Sequence, residues 1–435
     1  MFHVKLKARV GEHRHKILVM RAKHIIIAMA ACLAAISCNK PQVAFVDFDK
    51  TEGLDQRMFN VTSVKCTDVT PEMFAQQTKT TSIAGVQVAQ KVLEGIHAGK
   101  VLEVVGTYTS TDHNGDLITL SGKVIIPLGM KADRYILVSH YTIGSNAEAP
   151  SNNFPLEAML ATMGYIMVFP DYEGYGVTAD HTHPYLVMEQ SAYNVVDMMV
   201  AVQHMLRKTE YAPKHDDIYL MGYSQGGATT MAAECCLETS MAGHFDIRGV
   251  FAGGGPYDIK ATYQTFIDTN YCGYPFALPI VMQGMIVGNN LQINIKDLLQ
   301  PWLADKYDEW YESKRFTTAQ INGFIGTHVT SEMLNEKGMN QKSAEVAELY
   351  KAMTLNSVTS LAWTPQAPVY MFHSMDDDTV PYINAVKAKE QWENANISIN
   401  FGHYGNHVMG ALRFIFTVRT FLQTAQWEEA NNMEE

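Results

Sequence analysis

From Tyr135 onward the chain alternates short apolar runs with stretches whose apolar positions recur every three or four residues. The runs are Tyr135–Ser139, Tyr165–Phe169, Asp217–Gly222, Gly249–Ala252, Val369–Phe372 and Ile397–Phe401. They are too short for helices and are apolar at successive positions, as strands buried on both faces of a parallel sheet must be. The intervening periodicity predicts helices near Phe154–Met163, Ser191–Lys208, Gly226–Thr239 and Ile383–Asn394, with a last one at Val408–Gln426. Upstream, Val101–Thr109 and Leu117–Ile126 alternate in type around Thr111-Asp112-His113-Asn114-Gly115-Asp116. The Asn-Gly step predicts a hairpin there. Residues 39–95 are mixed and polar, and read as a tether followed by a helix near Ile83–His97. No unit of some 20–50 residues repeats, which excludes solenoids and propellers.

One interval breaks the alternation. Pro256–Thr364 carries no strand pattern but has helical stretches at Leu278–Val287, Ile295–Lys306, Thr318–Phe324 and Ser343–Leu355. Its length and position between two core strands predict a helical lid over the carboxyl edge of the sheet; a separately folding domain is the alternative. The expected organisation is therefore a leader over 1–37, tether and N-terminal helix over 38–95, core over 96–255, lid over 256–364 and core again over 365–435.

Composition changes this picture little. At 435 residues, 47% apolar and 18% charged, the chain can bury a large core and is neither disordered nor of low complexity. A net charge of −12 speaks against a nucleic-acid partner. The charge is uneven: residues 1–37 hold seven Lys/Arg against the single acid Glu12. A basic start followed by the apolar run Ile25–Ser37 has the anatomy of a secretory signal, and the run is short of the roughly 20 residues a membrane span needs. It ends Ala35-Ile36-Ser37-Cys38, resembling a bacterial lipobox in which Cys38 carries lipid. A compact signal would begin at Met20, making residues 1–19 an over-long start. The expectation is an exported bacterial lipoprotein anchored on the periplasmic or cell-surface face; an ordinary signal with an incidental cysteine is the alternative. Cys66, Cys235, Cys236 and Cys272 fit no zinc or disulfide spacing and read as mostly buried thiols.

The chemistry centres on Gly222-Tyr223-Ser224-Gln225-Gly226. A G-x-S-x-G alone is a weak signal, but the strand Asp217–Met221 runs into it and a helical pattern leaves it, giving the strand–turn–helix elbow that exposes a nucleophile. Ser224 needs a base to take its proton, and on such a fold the acid and then the histidine follow the serine in sequence. After Val369–Phe372 comes Asp376-Asp377-Asp378-Thr379-Val380-Pro381, where the D-x-x-V-P spacing favours Asp377 over its two neighbours. After the last strand, Gly402-His403-Tyr404-Gly405-Asn406-His407 offers His407, just ahead of the final helix, with His403 as competitor. Asp377 would orient the imidazolium. The Gln225 N–H would hold the oxyanion with a second donor from the loop after Tyr135–Ser139, at Tyr141 or Thr142. His181 and His183 form an H-x-H pair with no third ligand nearby in sequence, so neither metal nor cofactor is expected.

These stretches resemble an α/β-hydrolase, and more narrowly the secretory-lipase group with a lid inserted late in the fold. The resemblance is carried by Met163-Gly164-Tyr165, Val168-Phe169-Pro170, Asp171–Gly176, His183-Pro184-Tyr185, the Ser224 elbow, Gly254–Asp258 and the Asp377 and His407 loops, across Val101 to Gln426. It implies a mostly parallel sheet flanked by helices, and a Ser224–His407–Asp377 triad cleaving carboxylic esters through an acyl-enzyme. It also implies that the backbone of Asp171–Gly176 helps shape the site. Phe276, Met282, Met285, Ile286, Trp302, Trp310 and Tyr311 would be candidates for an acyl pocket, or plain helix packing. Two other readings stay open. One is a prolyl-oligopeptidase-like peptidase, for which Asp305, Asp308, Glu309 and Glu312 would supply the amine-binding carboxylates. The other is a lipoprotein that binds glycans or lipids without turnover.

Overall fold

The computed structural model describes residues 58–75, 83–393 and 395–432. Its strands are β1 (Asn60–Val69), β2 (Gly99–Thr111), β3 (Leu117–Leu128), β4 (Tyr135–Ser139), β5 (Ile166–Pro170), β6 (Ile218–Tyr223), β7 (Ile247–Gly253), β8 (Val369–Ser374) and β9 (Ile397–Gly402). They form one sheet in the order β1-β2-β3-β5-β4-β6-β7-β8-β9. The first three join antiparallel, including β3 to β5; from β5 to β9 every pairing is parallel.

The strand period sorts side chains to two cores. Leu137, Leu220, Val250 and Met371 point to one face, where the Met188–Leu206 and Gln225–Glu238 helices pack. Ile136, Met221, Phe251 and Phe372 point to the other, against the Leu156–Met163 turns and Phe414, Ile415, Val418 and Leu422 of the His407–Asn432 helix. With both faces covered, the strands carry no polar alternation, which is why they read as continuous apolar runs.

The β1 strand occupies sequence expected to be tether. It is an edge strand with mostly exposed or half-buried side chains, and a register shift between Val61 and Ser63 breaks the alternation that would have revealed it. The Ile259–Asp268 helix also escaped the sequence pattern, although Asp258 caps it by accepting from the Ala261 N–H. Between β7 and β8 the chain is helical: Ile259–Asp268, Ala277–Gly288, Pro301–Tyr307, Thr318–Ile325 and Ala344–Leu355 are its longer pieces. The expected Ile295–Lys306 helix is split there into a 3-10 turn and a helix opening at Pro301, a residue with no N–H to carry the ladder through. Cys236 and Cys272 are buried and Cys66 and Cys235 half-buried, and among the described residues none of the four forms a disulfide. Cys38 and the leader lie outside the described residues.

Candidate active site

The parallel strands β6, β7 and β8 bring their carboxyl ends side by side, and the candidate residues follow those ends. The β6 strand stops at Tyr223 and the Gln225–Glu238 helix starts two residues later, so the chain reverses over Ser224 alone. That residue has φ 61° and ψ −125°, a conformation costing about 1–3 kcal/mol for a non-glycine residue. It is held by the Ser224 N–H donating to the Gly253 carbonyl at 2.9 Å. The reversal requires glycine at 226: a Cβ there would run into the Ser139 carbonyl, so β4 and the new helix could not approach.

Asp377 sits in the turn after β8 with its carboxylate shielded from solvent. Its Oδ1 accepts from the Thr379 N–H (2.9 Å) and the Val380 N–H (2.8 Å), and its Oδ2 lies 2.6 Å from His407 Nδ1. Burial opposes ionisation of this carboxyl, but the His407 charge and hydrogen bond outweigh it and hold it below the usual carboxylate range. With Nδ1–H given to Asp377, His407 keeps Nε2 for another partner. His407 and Ser224 line the same cavity, of about 390 Å³, with Asp378, Asn406 and the loop residues Tyr141 and Thr142. Asp378 serves the loop backbone by accepting from the His407 N–H at 3.2 Å. The competitor His403 faces away from this set: its Nδ1 pairs with Asp376 at 2.8 Å on an exposed surface.

The Asp171–Gly176 loop braces the segment after β4. Tyr172 donates from its hydroxyl to the His140 carbonyl (3.3 Å) and Tyr175 to the Ile143 carbonyl (2.5 Å), while the His140 ring stacks on Tyr172 at 3.9 Å. Thr142 Oγ1 meets the Tyr185 hydroxyl at 2.7 Å in the cavity wall. In sequence His183 stood out as half of an H-x-H pair and as part of the His183-Pro184-Tyr185 stretch, with no role of its own. Here its Nδ1 lies 2.6 Å from the Glu173 carbonyl and its Nε2 3.0 Å from Gln225 Nε2. Burial, helped by the Lys314 charge, pushes its imidazole down to about 3. It is therefore neutral, with Nδ1 donating and Nε2 accepting from the Gln225 amide. A buried neutral histidine thus props the residue next to Ser224.

Residues 151–413 match the secretory lipase family, more than half of the chain. The chain belongs to the secretory lipase family. Over 325 residues it is 22% identical to the secreted triacylglycerol lipase LIP3 of Malassezia restricta, a match covering 69% of this chain and 65% of that one. It is 25% identical over 273 residues to Lipase 5 of Candida albicans, covering 59% and 54%. The chain thus spans less than two thirds of the length of these relatives. Among solved structures, the rice cell wall degrading esterase LipA from Xanthomonas oryzae superposes with TM-score 0.68 at 21% identity, covering 83% of this chain and 97% of that one. Candida antarctica lipase A gives 0.56 at 16% identity, covering 84% and 83%. The fold is that of the α/β-hydrolases.

In this family member the walls of the Ser224 cavity are Ile259, Tyr263, Phe266, Ala277, Val281 and, from the last helix, Leu412 and Ile415, among others. None of the seven residues singled out in sequence for an acyl pocket lines it. Phe276, Met282, Met285, Ile286 and Tyr311 are buried in the core and Trp302 is exposed, while Trp310 packs on Phe324. Helical periodicity marks apolar positions but not which of them turn toward a neighbouring cavity. Nor do Asp305, Asp308, Glu309 and Glu312, the acids singled out for a peptidase site, line it. Asp308 pairs with Lys296 (2.6 Å), Glu309 with Lys306 (2.9 Å), and Glu312 accepts from Thr182 Oγ1 (2.9 Å).

Proposed function

We propose that this member of the secretory lipase family is an exported serine hydrolase of carboxylic esters. The observation that carries the reading is the convergence on one apolar cavity of Ser224, on its strained elbow, and of His407, paired at 2.6 Å with buried Asp377. Ser224 Oγ attacks the ester carbonyl while His407 Nε2 takes its proton. The N–H of Gln225 and one N–H of the Tyr141–Thr142 loop receive the oxyanion, a contribution of roughly 3–4 kcal/mol per donor. His407 then protonates the leaving alcohol, and water repeats the sequence to release the acid. No step calls for a cofactor.

The aliphatic and aromatic walls favour an acyl chain as the buried part of the substrate, since each methylene removed from water contributes about 0.8 kcal/mol. Hydrolysis of p-nitrophenyl acetate, butyrate, octanoate and palmitate should therefore peak at eight carbons or more. A peak at acetate would replace the lipase with a small-acyl esterase, and silence on all four would favour the peptidase. Ser224→Ala should lower kcat by at least about 10⁴-fold with the melting temperature unchanged; near-normal turnover would remove Ser224 from the mechanism.

Export and anchoring rest on the leader. The basic segment, the apolar run and Cys38 support cleavage before Cys38 and lipid on its sulfur. Among the described residues no helix is long and apolar enough to cross a membrane. Mass spectrometry of the mature chain should find an acylated N-terminal Cys38; cleavage at another residue would end the proposal.

A further inference from the structure

A second cluster of chemically capable side chains lies apart from the ester-hydrolase residues, where the β2–β3 turn meets the loop after β5. One donor atom from each of Asp112, His113 and Glu173 lies within 4.8 Å of the others. His113 Nδ1 is 3.1 Å from Glu173 Oε1, and His181 Nδ1 approaches the same oxygen at 3.8 Å. Two imidazoles thus converge on one carboxylate oxygen, and an aspartate stands beside them.

The second observation concerns Glu173 itself. Its side chain is only 1% exposed, and among the described residues its Oε2 has no hydrogen-bond partner. A carboxylate oxygen taken out of water and left without a donor costs at least about 1–3 kcal/mol, and buried charges are ordinarily paired or bound to a cation. The two imidazoles both approach Oε1, at 3.1 Å and 3.8 Å, and Asp112 is another acceptor, so Oε2 is left without a donor. Asp112 Oδ1 already accepts from the Asn114 N–H (2.8 Å) and the Asp116 N–H (2.9 Å), which locks the turn and leaves Oδ2 as its available donor atom.

We propose that Asp112, His113 and Glu173, with His181 as a fourth ligand, form a binding site for a divalent transition cation of the zinc class. The donor set decides the class. Calcium and magnesium take shells of oxygen, whereas mixed imidazole and carboxylate ligands suit zinc and its first-row neighbours. Ligand atoms around a tetrahedral zinc at about 2.0–2.1 Å stand about 3.3–3.4 Å apart. The 3.1 Å and 3.8 Å from Glu173 Oε1 to the two imidazoles bracket that spacing. Where the trio is spread up to 4.8 Å, binding draws the turn and the loop together.

The role follows from what Glu173 holds. Its carbonyl accepts from His183, whose Nε2 accepts from the Gln225 amide, and its N–H donates to Asn194 Oδ1 at 3.2 Å. A cation on the Glu173 carboxylate would pin, at its far end, the loop that props Gln225. This is a structural clamp, and it stands whether or not the adjoining site cleaves esters.

The test uses the full chain, stripped with chelator and dialysed against metal-free buffer. Zinc is then titrated, with bound metal counted by mass spectrometry and melting followed by circular dichroism. One zinc per chain is expected, with a melting temperature that climbs with zinc concentration. His113→Ala and Glu173→Gln should each weaken zinc binding by at least about tenfold. His403→Ala, which removes an exposed histidine–carboxylate pair elsewhere, should leave zinc binding unchanged. Should Glu173→Gln fail to fold, Asp112→Asn in the exposed turn supplies the second variant. The proposal is overturned if no zinc is retained, if affinity is indifferent to His113→Ala and Asp112→Asn, or if His403→Ala abolishes it.

Discussion

At Asp377 three adjacent aspartates part company by a single turn. Asp377 is enclosed and bonded to His407 (2.6 Å), Asp376 pairs with His403 at the surface (2.8 Å), and Asp378 holds the His407 backbone (3.2 Å). An amide at 377 would present a donor to Nδ1 and impose the wrong tautomer on the imidazole. Asp377→Asn is therefore expected to lower kcat/KM by about 10³–10⁴-fold. Asp376→Asn should stay within about threefold of wild type, because a half-exposed ion pair contributes about 0–1 kcal/mol. Initial rates on one ester decide the matter, and a larger loss in Asp376→Asn would reassign the acid. Sequence spacing favoured Asp377, but its neighbours were separated from it only by burial.

At the scale of elements, the segment between β7 and β8 shapes one side of the Ser224 cavity. The Ile259–Asp268 helix contributes Ile259, Tyr263 and Phe266, and the Ala277–Gly288 helix contributes Ala277 and Val281. Ala277 is half-buried at the wall, so a larger side chain there occupies cavity space instead of forcing the core apart. Ala277→Phe should shift the chain-length maximum toward shorter acyl groups, with butyrate hydrolysis kept within about threefold. The expected loss on the longest chain follows from about 0.8 kcal/mol per displaced methylene. An unchanged profile would remove this helix from the acyl site. His407 owes its place to an element as well: it is the first residue of the His407–Asn432 helix, and Tyr223 donates from its hydroxyl to the His407 carbonyl at 3.0 Å, tying that helix to the elbow strand.

Across the whole molecule, buried titratable groups pull the pH dependence of stability in opposite directions. His183 is held at about 3 by burial and the Lys314 charge, against about 6.5 in an unfolded chain. Between those values the unfolded state binds a proton that the folded state refuses. Its contribution is thus complete above pH 6.5 and falls as pH drops, by up to about 1.4 kcal/mol per unit. Glu234 acts in reverse: burial first, then the nearby Glu238 charge, raise its carboxyl well above the usual range. Its folded state takes up a proton before the unfolded state does, so that contribution is present below about pH 4.3 and lost as pH rises. The variants separate the two. In urea unfolding from pH 7 to 4.5, His183→Asn should lose stability less steeply on acidification than wild type, and Glu234→Gln more steeply. Parallel profiles in either case would contradict the assignment.

The parallel sheet, the Ser224 elbow and the Asp377 and His407 loops that follow β8 and β9 were legible in the residues alone, because each is a local pattern: apolar runs, small residues at a sharp turn, loops after strands. The early hairpin was legible through Asn114-Gly115 for the same reason. Three features needed the tertiary structure. The β1 edge strand is exposed and bulged, so no alternation marks it. The cavity wall is chosen by which side of each helix in the 256–364 segment faces the sheet, and apolar periodicity cannot tell a wall from a core. The convergence of Asp112 and His113 with Glu173 joins residues 60 positions apart, and His183 meets Gln225 across 42. Such contacts arise where the chain leaves a strand and returns beside an earlier one, as β5 does antiparallel to β3. Local patterns along the chain hold no record of where it returns.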